Sequence, residues 1–285
     1  MSESEVESRM PSVDLGGGIR VPQLGFGVFQ ISSAEVQARV EEALSVGYRH
    51  IDTAAAYNNE EGVGRALAAS GLSRDEVFIT TKLRNGEQGR DSARVALADS
   101  LERLGLDHVD LYLIHWPSPA RDAYVDSWRT LIEAQAEGLT RAIGVSNFLP
   151  HHLDRVIGET GVAPAVDQIE LHPRFSQPTL TGVLHERGIV VESYSPLGQG
   201  AVLADPVVLD IARAVQRTPA QVILRWQLQH GRVAIPKASS RSRMAENLDV
   251  LDFQLSDDAL RRIDRLDTGK RIGGDPDTFE ITQIR

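Results

Sequence analysis

The chain has 285 residues, 41% hydrophobic and 25% charged, with a formal net charge of −10 and no cysteine. That composition is globular and leaves room for one domain of the roughly 250 residues that an α/β barrel needs. The acid excess argues against nucleic acid or an anionic membrane as partner, and the missing cysteine removes disulfides, thiolate metal sites and cysteine nucleophiles.

The first 12 residues, MSESEVESRMPS, are acid-rich without an apolar stretch. They read as a disordered tail before a single domain over 13–285, not as a signal peptide, and leave translation starting at either Met1 or Met10. No apolar run reaches the roughly 18 residues that cross a bilayer, so a soluble, cytoplasmic protein is expected. VDLGGGIRVPQLG, at 13–25, sets two short runs around a glycine cluster, which predicts a β-hairpin. Beyond it, short apolar runs alternate with amphipathic stretches. Strands are expected at 24–28, 48–52, 77–82, 109–115, 142–145, 165–169, 190–194 and 233–236. Helices are expected near 34–46, 60–70, 91–104, 122–137, 150–158, 178–187, 205–216 and 239–250, with extra ones at 219–229 and 256–266. In RVALADSLERL, at 94–104, Val95, Leu97, Ala98, Leu101 and Leu104 read as the inward face.

Strands that are apolar nearly throughout mark a parallel sheet covered by helices. Eight strand–helix units without a composition break predict a (β/α)8 TIM barrel with an N-terminal hairpin and extra helices near the C-terminal end. An open doubly wound sheet fits less well, because no first strand runs into G-x-G-x-x-G. GFG at 25–27 and GVG at 62–64 are fragments of that pattern at best.

In such a barrel, chemistry sits at the carboxyl ends of the strands and in the loops after them. Asp52 ends the second expected strand, Tyr57 lies in the following loop, Lys82 ends the third and His115 the fourth. Singly, each has an ordinary explanation: a helix cap, packing, a strand-end charge reaching water, a core histidine. Together they put an acid, a phenol, an amine and an imidazole on one rim. A tyrosine is a poor proton donor, with an ordinary pKa of about 10. A lysine about 4 Å away contributes on the order of 4 kcal/mol at an effective dielectric of 20, a pull of nearly three pKa units that burial opposes. Asp52 would keep Lys82 charged, and His115 would hydrogen-bond the oxygen that receives the proton. Such a set suits general acid catalysis on a carbonyl.

These residues lie in stretches that resemble the aldo-keto reductase superfamily: GYRHIDTAAAYNNEEGVG at 47–64, LYLIHWP at 111–117, GVSNF at 144–148, DQIELHP at 167–173 and IPKASSRSRMAENL at 235–248. The likeness runs from about 13 to 280, and YSPLGQG at 194–200 with the short C-terminus is similar to the bacterial 2,5-diketo-D-gluconate reductase-like branch. The resemblance implies NADPH-dependent reduction of aldehydes and ketones, with diketones and keto-sugars as candidate substrates, to alcohols by hydride transfer without a metal. It implies Tyr57 as proton donor, Lys82 lowering its pKa, Asp52 pairing with Lys82 and His115 orienting the carbonyl. It also implies Ser146, Asn147 and Gln168 on the nicotinamide carboxamide, Tyr194 on the ring face, and Ser195 and Leu197 on the pyrophosphate. Glu246 and Asn247 would take the adenine edge, and Gly27 and Val28 would lie against the cofactor as well. Without the resemblance, Ser146–Asn147 reads as a helix N-cap, Gln168 as a partner for a backbone group and Tyr194 as a core aromatic.

IPKASSRSRMAENL follows the last strand and opens a helix whose Met244, Leu248 and Leu251 face inward. A 2′-phosphate would there meet Lys237, Ser239, Ser240, Arg243 and a helix N-terminus together. An NADH site would offer a carboxylate to the 2′-hydroxyl instead. NADPH is therefore expected over NADH, with the preference weakened by Ala238, which stands where many relatives carry a hydroxyl.

Phe29, Trp116 and Phe148 are expected as aromatic walls of an apolar mouth. His151, His152, His172 and His185 lack ligand spacing and H-E-x-x-H is absent, so no metal is expected. The expected partner is a small carbonyl compound, with neither nucleic acid nor membrane, and the resemblance favours a monomer. Two rivals remain: a lyase working through a Schiff base on Lys82, and an NADPH-binding regulatory sensor with little turnover.

Overall fold

A computed structural model describes residues 10–280, so the part of the expected acidic tail at 1–9 lies outside the described residues. Eight strands run parallel in sequence order: β3 (Phe26–Gly27), β4 (His50–Asp52), β5 (Phe78–Leu83), β6 (Val109–Ile114), β7 (Thr140–Ser146), β8 (Val166–Glu170), β9 (Val190–Tyr194) and β10 (Val233–Ala234). The backbone then closes the ring. Leu24 bridges Ala234 in parallel, the Gly25 N–H donates to Ala234 O at 2.9 Å, and the Gly27 N–H donates to Pro236 O at 3.2 Å. A Cβ on Gly27 would stand 3.0 Å from Ile235 O, so the seam itself asks for glycine there.

Before the barrel, β1 (Ser12–Asp14) and β2 (Arg20–Pro22) pair antiparallel around Gly16, Gly17 and Gly18, all at positive φ. Val21 of this hairpin packs with Phe78, Leu111, Leu113, Ala142, Val166 and Val233, closing the barrel at the end away from the catalytic rim. Ordered chain therefore begins before residue 13. Ser12 opens β1, and the Gln23 N–H donates to Pro11 O at 2.8 Å.

Ten helices complete the described chain: α1 (Val36–Val46), α2 (Glu60–Ala69), α3 (Arg90–Leu104), α4 (Tyr124–Ala136), α5 (Pro150–Thr160), α6 (Pro178–Glu186), α7 (Pro206–Val215), α8 (Pro219–Gln229), α9 (Arg241–Leu248) and α10 (Asp257–Asp264). The expected face of α3 needs correction. Ala93, Ala96, Leu97, Ser100, Leu101 and Leu104 are buried, while Val95 is 59% exposed and Ala98 is exposed as well. Small residues win the inner face because α2 approaches closely there: a Cβ on Gly64 would meet Leu104 O at 2.3 Å. After α10 the chain runs back without regular structure, and Glu170 at the end of β8 holds it by accepting from the Ile272 and Gly273 N–H groups at 2.6 and 2.7 Å.

Candidate active site

Parallel strands end on one rim, and that brings the four expected catalytic residues together. Lys82, wholly buried on β5, donates from Nζ to Asp52 Oδ1 at 2.6 Å and to Thr53 O at 2.9 Å. The same ammonium lies 5.3 Å from the centre of the Tyr57 ring. Tyr57 sits in a single 3-10 turn after β4, with its ring edge-on to His115 at 5.6 Å and tilted against Phe29 at 5.0 Å. Gln168 on β8 donates from Nε2 to the second Asp52 oxygen at 2.8 Å. Asp52 is thus fixed from both sides.

Electrostatics depart from the expected pattern in one respect. Burial, and then the Asp52 carboxylate, push the Tyr57 phenol well above its ordinary value of 10.0. The Lys82 charge is neutralised by Asp52 at hydrogen-bond distance, so little of its pull reaches the phenol. His115 moves the other way: burial, then Lys82 and Arg84, hold its pKa well below 6.5. The rim therefore presents a protonated phenol and a neutral imidazole at neutral pH, two groups able to donate a hydrogen bond to one oxygen.

The groups implied for the nicotinamide form a chain of bonds. Asn147, at a positive φ of 65°, donates from Nδ2 to His115 O at 3.1 Å and to Ser146 Oγ at 3.0 Å. Its Oδ1 accepts from the Tyr194 hydroxyl at 2.8 Å. Leu149 occupies the N-cap position of helix α5, so the capping alternative for Ser146–Asn147 fails. Ser195 continues from Tyr194 at a positive φ of 49°, and Leu197 packs half-buried beside it. After β10, Lys237 and Ser239 are exposed. Ser240 Oγ caps α9 on the Arg243 N–H at 3.4 Å, and Arg243 Nη1 reaches Ser239 Oγ at 3.3 Å. Arg243, Ser239, Ser240 and a helix N-terminus thus stand together, a donor set that suits a phosphate dianion, while Lys237 Nζ donates to Gln30 Oε1 at 3.3 Å.

The family model for the aldo/keto reductase family matches residues 23–268. This chain belongs to the aldo/keto reductase family. Methylglyoxal reductase DkgA of Escherichia coli is 52% identical over 269 residues, covering 94% of this chain and 97% of that one. An aldo-keto reductase of Mycolicibacterium vanbaalenii is 53% identical over 270 residues, covering 95% and 97%. Among solved structures, a Gox0644 mutant in complex with NADPH superposes with a TM-score of 0.91 at 44% identity, covering 95% of this chain and 98% of that one.

The structure bears on several further site expectations for this aldo/keto reductase, and corrects that for Phe148. Val28 is fully buried, its N–H donates to Asp52 O, and its carbonyl accepts from Ile31 and Asn59, so its backbone polar groups are already paired. Gly27 serves the barrel seam described above. Asn247 is buried and hydrogen-bonds the Tyr48 side chain, while Glu246 accepts from Thr218 Oγ1 at 2.7 Å. Each keeps further hydrogen-bonding capacity, since only one Glu246 oxygen is used. Phe148 does not wall the mouth: it is wholly buried, edge-on to Tyr124 and 5.7 Å from His152. Phe29, 40% exposed, does stand at the mouth. Trp116 is covered by Phe279 of the returning C-terminal segment, stacked at 4.0 Å.

His50 and Glu192 went unnoticed in the sequence. They face each other at 3.7 Å inside this aldo/keto reductase barrel, with side chains 0% and 1% exposed. A charged residue in the middle of an apolar strand, VVESY, was the available signal. His151, His152 and Asp277 also converge, with ligand atoms all within 4.8 Å of one another. His152 Nδ1 accepts from the Leu149 N–H at 3.1 Å, so the neutral ring carries its proton on Nε2, the atom a metal would need.

Proposed function

We propose that this protein reduces aldehydes and ketones to alcohols with NADPH, Tyr57 supplying the proton. NADPH, when bound, supplies the hydride. The convergence of Asp52, Tyr57, Lys82 and His115 on one rim carries the reading. His115, neutral because it is buried between Lys82 and Arg84, donates a hydrogen bond to the carbonyl oxygen and holds it beside the phenol. Tyr57 keeps its proton until negative charge builds on that oxygen. An alkoxide is far more basic than a phenolate, so the transfer runs downhill even from a phenol of raised pKa. Lys82, held charged by Asp52, faces the ring of the resulting phenolate. Lys237, Ser239, Ser240 and Arg243 bind the 2′-phosphate, and Tyr194 lies under the nicotinamide.

The test is NADPH oxidation by the purified protein with a panel of aldehydes, diketones and keto-sugars. Wild type should turn over several of them. Tyr57→Phe should lose about 100-fold or more in turnover, the scale of a general acid, while still binding NADPH. Wild-type turnover in that variant at saturating NADPH would refute the acid assignment. Tight NADPH binding with no carbonyl consumed by wild type would favour the sensor reading.

A further inference from the structure

Two carboxyl groups and one ammonium share the barrel interior beneath the rim. Asp52 and Lys82 are buried and use each other, at 2.6 Å. Glu192 of β9 is the third member, and it is buried as well. Its register partner on β8 is Gln168, the residue whose Nε2 donates to the second Asp52 oxygen at 2.8 Å. The carboxyl of Glu192 therefore stands one strand away from the group that steadies Asp52.

Its surroundings supply no cation of their own. His50 and Asp52 face it from β4, Lys82 from β5 and Gln168 from β8, while its register partner on β10, Val233, is apolar. His50 Nε2 is 3.7 Å away, too far for a hydrogen bond, and lies 3.1 Å from Thr80 Oγ1. Neither Glu192 oxygen completes a hydrogen bond or reaches water, although the Gln168 side chain eases its charge. A second anion here would meet Asp52 and find Lys82 already taken, so the uncharged acid is the form that fits. Burial, then Asp52, act in that direction and put its pKa at about 8. The proton donor and the nearby imidazoles titrate elsewhere: Tyr57 well above 10.0, His115 well below 6.5 and His50 at about 4.

We propose that Glu192 is a positioning residue for the proton transfer: as an uncharged acid behind Gln168 and Asp52 it leaves Lys82 to steady the Tyr57 phenolate, and as a carboxylate it takes that support away. This rests on the carbonyl-reductase reading above and deepens it. Giving up its proton turns Tyr57 into an anion whose ring centre is 5.3 Å from the Lys82 ammonium. An added negative charge close by opposes that anion and competes for the same ammonium. The expected cost is about tenfold in rate, the scale of one unit charge at an effective dielectric of about 20. Glu192 acts through Gln168, Asp52 and Lys82, and hands no proton to the substrate.

The test follows a single turnover of NADPH oxidation, with enzyme in excess over NADPH, on 4-nitrobenzaldehyde, which has no ionisable group. The quantity read, within each protein, is the rate at about pH 9.5 divided by the rate at about pH 6. Wild type should give about one tenth or less, with the fall centred near pH 8. Glu192→Gln and Glu192→Leu cannot ionise, and both should give a ratio about tenfold higher than wild type. If Glu192 merely fills the barrel, its variants lose rate alike at both pH values and the ratio stays put, which overturns the inference. Should neither variant fold, salt decides on wild type: a break that stays in place as salt is raised belongs to a buried group and supports Glu192, and one that moves belongs to an exposed group and refutes it. Good turnover without any break between the two pH values sinks this inference alone, whereas no turnover of any carbonyl sinks the reading beneath it as well.

Discussion

The pair Lys82–Asp52 is costly to build and sensitive to break. Both side chains are nearly or wholly out of water, and their 2.6 Å contact, with Gln168 and Thr53 O taking the remaining bonds, compensates their desolvation. Removing only the cation leaves a buried carboxylate without a partner, which costs about 3–5 kcal/mol in comparable pairs. Lys82→Met should therefore lower both turnover and stability. Adding Asp52→Asn to it should recover much of the stability and none of the turnover, because the phenolate formed on Tyr57 would still lack a cation across its ring. Urea denaturation and NADPH oxidation on the two single variants and the double one check this. A double variant no more stable than Lys82→Met would mean that the carboxylate was not suffering alone. At this scale the four chemical groups were legible as strand-end residues, because the barrel rule assigns every strand end to one rim. The direction of the Tyr57 shift was not, since it depends first on how deeply the phenol is buried and then on how completely Asp52 cancels Lys82, and only the folded chain tells either.

Elements were legible where their pattern depends on the chain alone. All eight barrel strands and all ten helices fall where apolar runs and helix-length amphipathic stretches predicted them, with ends shifted by a few residues. Which face of a helix turns inward was less secure. In α3 the large Val95 looked like core, yet the inner face is made of Ala93, Ala96 and Ser100 around the leucines, because α2 leaves space only for small side chains. GVG at 62–64 serves that contact and a second one, between α2 and α1. These glycines serve helix packing and have no part in a nucleotide turn, since a Cβ on Gly62 would meet Val36 Cγ1 at 2.3 Å and one on Gly64 would meet Leu104 O at 2.3 Å. Gly64→Ala gains up to about 1 kcal/mol of helix propensity. It must also push α2 away from a backbone carbonyl that cannot rotate aside, and overpacking of this kind costs about 1–3 kcal/mol. A net loss of about 1–2 kcal/mol in chemical denaturation is expected, with the catalytic rim unaffected. A Gly64→Ala protein as stable as wild type would show that the helices have slack between them.

At the scale of the whole molecule, a closed barrel settles its inward charges away from water, between strands that are distant in sequence. Gln168 meets Asp52 across 116 positions, and His50 meets Glu192 from β4 to β9. No local pattern encodes such pairs, which is why the second layer of the site stayed hidden while the rim could be read. Its cost should be visible in the pH dependence of stability. Burial, then Asp52, push the Glu192 carboxyl up to about 8 from an ordinary 4.5. Between those values the unfolded chain has released a proton that the folded chain keeps, so Glu192 subtracts stability as pH rises through that window. His50 acts in the opposite sense: burial lowers it from 6.5 to about 4, so the folded chain resists a proton that the unfolded chain accepts, and stability falls as pH drops through that range. Glu192→Gln keeps the shape of the side chain and removes only the first of these dependences. Measured by urea denaturation at about pH 5 and about pH 8, the variant should gain on wild type at the higher value, while the acid-side loss from His50 persists in both proteins. An equal difference at the two pH values would mean that Glu192 is ionised within the fold throughout. The barrel axis would then hold two carboxylates against one ammonium, and neutrality there would have to come from a protonated His50.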